Sequence, residues 1–168
     1  MNVLSKTTID SPLGKLVAIA SKRGLCVLTY EEESHYIDSR IQAFYSPSTY
    51  THEYNKTLQE TKLWLKNYFA KNFENLTLPA IDLQGTPFTL RAWKALLKVP
   101  LGKTQSYGQL AKRIGSPDAA RAIGGAMGKN PITIMVPCHR ILGATGTLTG
   151  YSSGLNRKKW LLNHEGIF

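Results

Sequence analysis

The sequence is poor in cysteine, in long apolar runs and, over its second half, in acidic residues. Two cysteines in 168 residues, Cys26 and Cys138, make neither a disulfide framework nor a four-ligand zinc site. A reducing compartment follows as the expectation: cytoplasmic, or nuclear in a eukaryote. No apolar run approaches the roughly 20 residues a membrane span needs, so no membrane partner is expected. Met1-Asn2-Val3-Leu4-Ser5-Lys6 lacks the pattern of a secretory signal. The acidic deficit is one-sided. Residues 1–82 hold nine Lys+Arg and nine Asp+Glu, whereas residues 83–168 hold twelve against only Asp118 and Glu165. The formal net charge of +10 therefore lies entirely in the second half. Such a footprint suits a polyanion partner, and equally a basic surface that is merely soluble.

What the chain does contain, 42% hydrophobic and 19% charged residues, argues for a folded protein with a real core. The patterning predicts an α/β (α+β) architecture: a small sheet-plus-helix domain over 1–82 and a mostly helical domain over 83–168, joined by a linker at Ala80–Gly85. Val3 to Tyr30 reads as three strands with turns at Ser11-Pro12-Leu13-Gly14 and Lys22-Arg23-Gly24. Val17, Ile19, Leu25, Val27 and Leu28 are the predicted buried positions. A helix is expected around Tyr36–Phe44, a loop at Ser46–Thr49 and an amphipathic helix over Lys56–Lys71. Cys26, inside an apolar run, reads as a core thiol, and His35 and His52 as surface residues. No metal-ligand set is evident.

In the second half, Thr86-Pro87 is an N-cap followed by proline at the first helical position, with Phe88, Ala92, Leu96 and Val99 on one face. Ser106-Tyr107-Gly108-Gln109 is a capping box that opens a short helix ending at Gly115. Ser116-Pro117 is expected to cap the next helix, running to about Met127. Two short helices joined by a tight glycine turn have the form of a helix-turn-helix. The second is almost bare: Ala119, Ala120, Ala122, Gly124, Gly125 and Ala126 surround one long side chain, Arg121. Small residues permit close packing on another helix, or close approach to something narrow.

Ile132-Thr133-Ile134-Met135-Val136 reads as a short buried strand stopped by Pro137. Cys138, His139 and Arg140 follow in consecutive positions. A thiol beside an imidazole has the ingredients of an activated nucleophile, or is a structural cysteine next to a basic pair. Glu165, one of two acids in this half, completes a possible nucleophile–base–carboxylate set, or is a solvated carboxylate at a helix end.

Pro137-Cys138-His139-Arg140-Ile141 resembles the active-site signature of the O6-alkylguanine-DNA alkyltransferases. The likeness extends through Arg121–Met127, Asn130-Pro131, Tyr151-Ser152 and Trp160–Gly166. It implies irreversible transfer of an alkyl group from guanine O6 (and thymine O4) in duplex DNA to Cys138, once per molecule, by a monomer without a cofactor. His139 would be the base, acting through a water, with Glu165 behind it. Arg121 would fill the stack left by a flipped base, and Tyr107 would help rotate its phosphate. Asn130 would tie the helix-turn-helix to the active-site segment. Carbonyls of Cys138 and Ile141 would accept from the guanine amino group, with Tyr151 and Ser152 walling the pocket. Ser153 departs from the family glycine and would add a side chain at the pocket mouth. Arg140 and Arg157-Lys158-Lys159 are expected to serve structure and phosphate attraction. Two other classes remain beside this one: a non-catalytic damage-binding module, whose relatives lack the cysteine, and a Cys-His hydrolase, which would turn over repeatedly.

Overall fold

A computed structural model describes residues 1–168 and divides them into two compact units, Met1–Gln84 and Gly85–Phe168. The first unit is built on four strands in the order β3-β2-β1-β4: β1 (Asn2–Ile9), β2 (Leu16–Ser21), β3 (Gly24–Tyr30) and β4 (Ser48–Thr51). β1, β2 and β3 form an antiparallel meander through the two expected turns, Thr8 facing Val17 and Ile19 facing Val27. All five residues predicted as buried from Val17 to Leu28 are at most 4% exposed. Continuous burial of β2 and β3 means that both faces of the sheet are covered. α1 (Ser34–Tyr45) supplies Ile37, Ile41 and Tyr45 to a cluster with Leu4, Val17 and Ile19. α2 (Lys56–Phe69) packs on the same sheet through Leu58, Trp64, Leu65 and Tyr68. Cys26 lies in the core, its Sγ donating to the Ile19 carbonyl at 3.3 Å.

One expectation fails in this unit and a second is narrowed. The stretch read as a loop at Ser46–Thr49 enters β4, which pairs parallel with β1 from Asn2–Ser48 to Ser5–Thr51. A four-residue, largely polar edge strand carries too little apolar alternation to announce itself. The supposed linker is also partly structural. Ala80 and Asp82 bracket Leu25 in backbone hydrogen bonds, and the buried Asp82 carboxylate accepts from Ser21, Tyr45 and Gln84.

The second unit is mostly helical: α3 (Pro87–Leu96), α4 (Tyr107–Arg113), α5 (Ala120–Gly128) and α6 (Leu155–His164), with a two-residue parallel pair β5 (Gln105–Ser106) and β6 (Ile141–Leu142). Thr86 caps α3 by accepting from Thr89 N–H, and Ser106 and Gln109 form the full capping box of α4. Gly115, at φ 77°, makes the left-handed turn that ends α4. Ser116 does not cap α5. Its carbonyl accepts from Ala119 N–H, so Ser116–Ala119 is a turn of its own and the helix begins at Ala120. Trp93 Nε1 donates to the Ala126 carbonyl at 2.9 Å and pins α5 to α3.

Ile132–Val136 is buried as expected but is not a strand. It folds into tight turns, with Ile134 at φ 71°, Met135 N–H on the Thr133 carbonyl and Val136 N–H on that of Ile132. A buried irregular segment needs internal partners for its polar backbone. Asn130 supplies them, accepting from Ile132 N–H at 3.0 Å and donating to the Val136 carbonyl at 2.7 Å.

Candidate active site

Pro137 ends those turns, and the next residues, Cys138–Arg140, make a single 3-10 turn that is buried throughout. The Cys138 thiol lies against a cavity of about 280 Å³. One wall is the bare helix, through Gly124, Met127 and Gly128 of α5. The opposite wall is the glycine-rich loop from Thr149 to Ser152, and Tyr107 at the start of α4 completes the enclosure. The β5–β6 pair sets Tyr107 there, since Ser106 pairs with Leu142. Its hydroxyl donates to the Thr149 carbonyl at 3.1 Å, tying helix to loop. Gly143 begins that loop where a Cβ would collide with the Thr147 hydroxyl, which makes the tight return possible.

The residues that follow Cys138 enter a buried network. His139 Nε2 is 2.6 Å from Glu165 Oε2, with both side chains at 0% exposure. Burial alone would raise the Glu165 carboxyl, but the His139 hydrogen bond and the Arg140 guanidinium outweigh it and hold it at about 2. An ionised carboxylate only accepts, so Nε2 carries the proton and Nδ1 presents its lone pair. Burial lowers the imidazole below its ordinary value against the pull of Glu165, so His139 rests neutral. Its Nδ1 is buried and has no hydrogen-bond partner in the protein. A neutral imidazole with a free lone pair and a carboxylate on its other nitrogen is prepared to take up a proton.

Burial also raises the Cys138 thiol above its ordinary value, which keeps it protonated at rest. The Asn130 hydrogen bond, the Lys158 charge and Tyr151 act in the opposite sense. Asn130 Nδ2 donates to Sγ at 3.2 Å, and Tyr151 shares a 2.9 Å hydrogen bond with Thr133. These are the groups that favour the thiolate as it forms.

Of the basic residues expected to serve structure or phosphate attraction, Arg140 and Lys158 belong to this buried network. Arg140 donates through Nε to Glu165 Oε1 at 2.7 Å, through Nη2 to Oε2 at 3.1 Å, and through Nη1 to the Val99 carbonyl at 2.7 Å. Lys158 is 0% exposed, its Nζ donating to the carbonyls of Ile141 (2.6 Å), Thr149 (2.9 Å) and Gly150 (3.2 Å). Burial pulls its ammonium down to about 8, which the nearby Cys138 partly opposes. A run of three basic residues reads as exposed, yet Lys158 shares the buried face of α6 with Leu161, Leu162 and the following Glu165. That i, i+3, i+4, i+7 spacing was the available signal.

Other expected residues stand further off. Arg121 is exposed on α5, one turn before Gly124, and does not line the cavity. The Ile141 carbonyl is engaged by Lys158 and that of Cys138 by Ile141 N–H, each keeping one lone pair. Ser153 is half-buried with its carbonyl bonded to Arg157 and is not a lining residue. No three His, Cys, Asp or Glu side chains converge into a metal-binding group. No helix is long and apolar enough to cross a membrane.

Comparison with known proteins accounts for nearly the whole chain. Residues 4–81 match the family profile described as 6-O-methylguanine DNA methyltransferase, ribonuclease-like domain, and residues 87–167 match the DNA binding domain of the same description. The methylated-DNA–protein-cysteine methyltransferase of Shigella flexneri is 41% identical over 165 residues, covering 97% of this chain and 96% of the relative. That of Mycobacterium tuberculosis is 44% identical over 158 residues, covering 94% and 90%. The crystal structure of Mycobacterium tuberculosis OGT in complex with DNA superposes with a TM-score of 0.79 at 41% identity, covering 97% of this chain and 92% of that one.

Proposed function

Because this chain belongs to the 6-O-methylguanine DNA methyltransferase family, and so is a methyltransferase from methylated DNA to a protein cysteine, we propose that Cys138 is the acceptor and that each molecule reacts once. The observation that carries this is that Cys138 lines a cavity and is followed in the chain by a neutral imidazole held by Glu165. In the reaction His139 Nδ1 takes the thiol proton through a bridging water. Sγ then attacks the alkyl carbon, the bond from that carbon to guanine O6 breaks, and the released guanine takes up a proton. Tyr151 and Ser152, which line the cavity, donate toward O6 in this reading. The thioether has no route back to a thiol, so the protein is consumed. Thymine O4 presents the same alkoxy geometry and is a second substrate. All the side chains needed come from one chain, in keeping with a monomer.

The base must leave the helical stack to reach the cavity. The glycines of α5 support this, because packing within the protein does not itself require them. A Cβ at Gly125 or Gly128 would meet nothing within 4 Å, and one at Gly124 only an ordinary contact with Tyr107. A helix face kept low without an internal reason is shaped for close approach by duplex DNA, with Arg121 entering the gap left by the base.

Duplex DNA carrying radiolabelled O6-methylguanine tests the reaction. Label is expected on Cys138, saturating near one methyl per molecule. Cys26, whose thiol burial pushes up to about 12, is expected to take none. Multiple turnovers, or equal labelling of a Cys138→Ser protein, would refute the assignment. A second experiment separates flipping from chemistry. Arg121→Ala is expected to slow repair of duplex DNA at least tenfold while leaving reaction with free O6-methylguanine unchanged; an equal loss on both substrates removes Arg121 from that role.

A further inference from the structure

A second concave surface, sharing no residue with the Cys138 cavity, lies between α3 and the end of α4. It is a groove of about 280 Å³ lined by Arg91, Lys94, Ala95, Lys98, Arg113 and Ile114. All four cationic side chains are exposed, and none forms an ion pair. The two arginines are braced across the groove in opposite directions. Arg91 of α3 donates to the Ile114 carbonyl at 3.3 Å, while Arg113 of α4 donates to the Ala95 carbonyl at 3.4 Å and to Gln105 at 2.8 Å. Each guanidinium keeps further N–H donors, so the forks are held at a fixed spacing with capacity to spare. Lys94 on α3 and Lys98 in the turn just after it add two uncommitted ammonium groups to the same lining.

Four like charges held together raise each other's energy unless an anion relieves them. From this arrangement we infer that the groove binds the phosphodiester backbone of DNA outside the segment that delivers the damaged base. The inference goes beyond the alkyl-transfer reading and concerns affinity for undamaged duplex. Tyr107 and Arg113 stand at opposite ends of α4, about 9 Å apart along its axis and on different faces. A strand in the groove is therefore a separate stretch of backbone from the one at the cavity. A protein partner is less well served, because the groove offers only Ala95 and Ile114 as apolar surface and no aromatic anchor. Repeated phosphates match repeated cations without either.

Binding of unmodified duplex DNA, followed by fluorescence anisotropy over a salt series, tests this. The Lys94→Gln/Lys98→Gln protein is expected to show a slope of log K against log salt smaller by about 1.8, since each lost phosphate contact removes about 0.9. Affinity should fall on every sequence alike, with methyl uptake from free O6-methylguanine unchanged. A charge-matched control, Lys22→Gln/Lys66→Gln in the first unit, should keep the wild-type slope. Lys94→Arg/Lys98→Arg should restore it. An unchanged slope in the glutamine variant, an equal drop in the control, or no recovery with arginine would each overturn the inference. A wild-type protein that binds duplex with this salt signature yet transfers no methyl would instead count against the alkyl-transfer reading alone.

Discussion

Glu165→Ala is expected to destabilise the protein by roughly 3–5 kcal/mol and to abolish measurable methyl transfer. Truncation strands two buried partners at once: the Arg140 guanidinium, 7% exposed, and the His139 Nε2–H. A buried charge left without its counter-charge is the most costly outcome of breaking such a pair. Glu165→Gln separates the two effects. The amide keeps the shape and part of the hydrogen bonding, so the stability loss shrinks, but the imidazolium formed when the thiol ionises is no longer neutralised. A loss of single-turnover rate on the order of a hundredfold is expected. Wild-type kinetics in the glutamine variant would sink the proposed relay. The pH dependence has a definite sign. In the folded state the carboxyl sits at about 2 against an ordinary 4.5, so its contribution is fully present above pH 4.5 and is lost as pH falls toward 2. Melting temperatures across that window should fall in the wild type and stay flatter in Glu165→Gln.

Lys158→Met is expected to slow alkylation of Cys138 at least tenfold near neutral pH, as one unit of thiol pKa is a tenfold change in thiolate. Methionine retains the length of the buried stem and removes the charge facing the sulfur. The midpoint of the iodoacetamide reaction with Cys138 should move to higher pH, and an unmoved profile would take Lys158 out of thiolate stabilisation. Stability rises with pH here as it does for Glu165, but in a more alkaline window. Because burial lowers this ammonium from 10.5 to about 8, the unfolded chain holds more protons between those values, and folding becomes more favourable as pH rises through them. That rise should be missing from Lys158→Met.

The parts of this site that were legible in the sequence are those whose signal is local. Cys138 and His139 are adjacent, the Ser106–Gln109 box closes over four residues, and three strands announce themselves by alternation and turns. Glu165 was found as one of only two acids in a basic half and through family likeness, not from any spacing to His139. For Arg140 and Lys158 the sequence leaves structure and phosphate attraction side by side, and only contacts spanning 41 and 17 residues reveal what each is buried against. Ile132–Val136 shows a different limit. An apolar, β-branched run specifies burial, but whether the backbone pairs with a neighbour or turns on itself was settled by one side chain, Asn130, just outside it. The α5 start shifted for a similarly local reason, the Ser116–Ala119 turn, which competes with the cap its serine would otherwise have made.

The Arg140 guanidinium spans Val99 and Glu165, so the back of the site is drawn from widely separated stretches of chain. During synthesis the nucleophile is therefore made before the residues that activate it. Until α6 docks, Cys138 has neither its ammonium neighbour nor a carboxylate-held imidazole. The proposed transfer to this sulfur therefore waits on the last helix to be made.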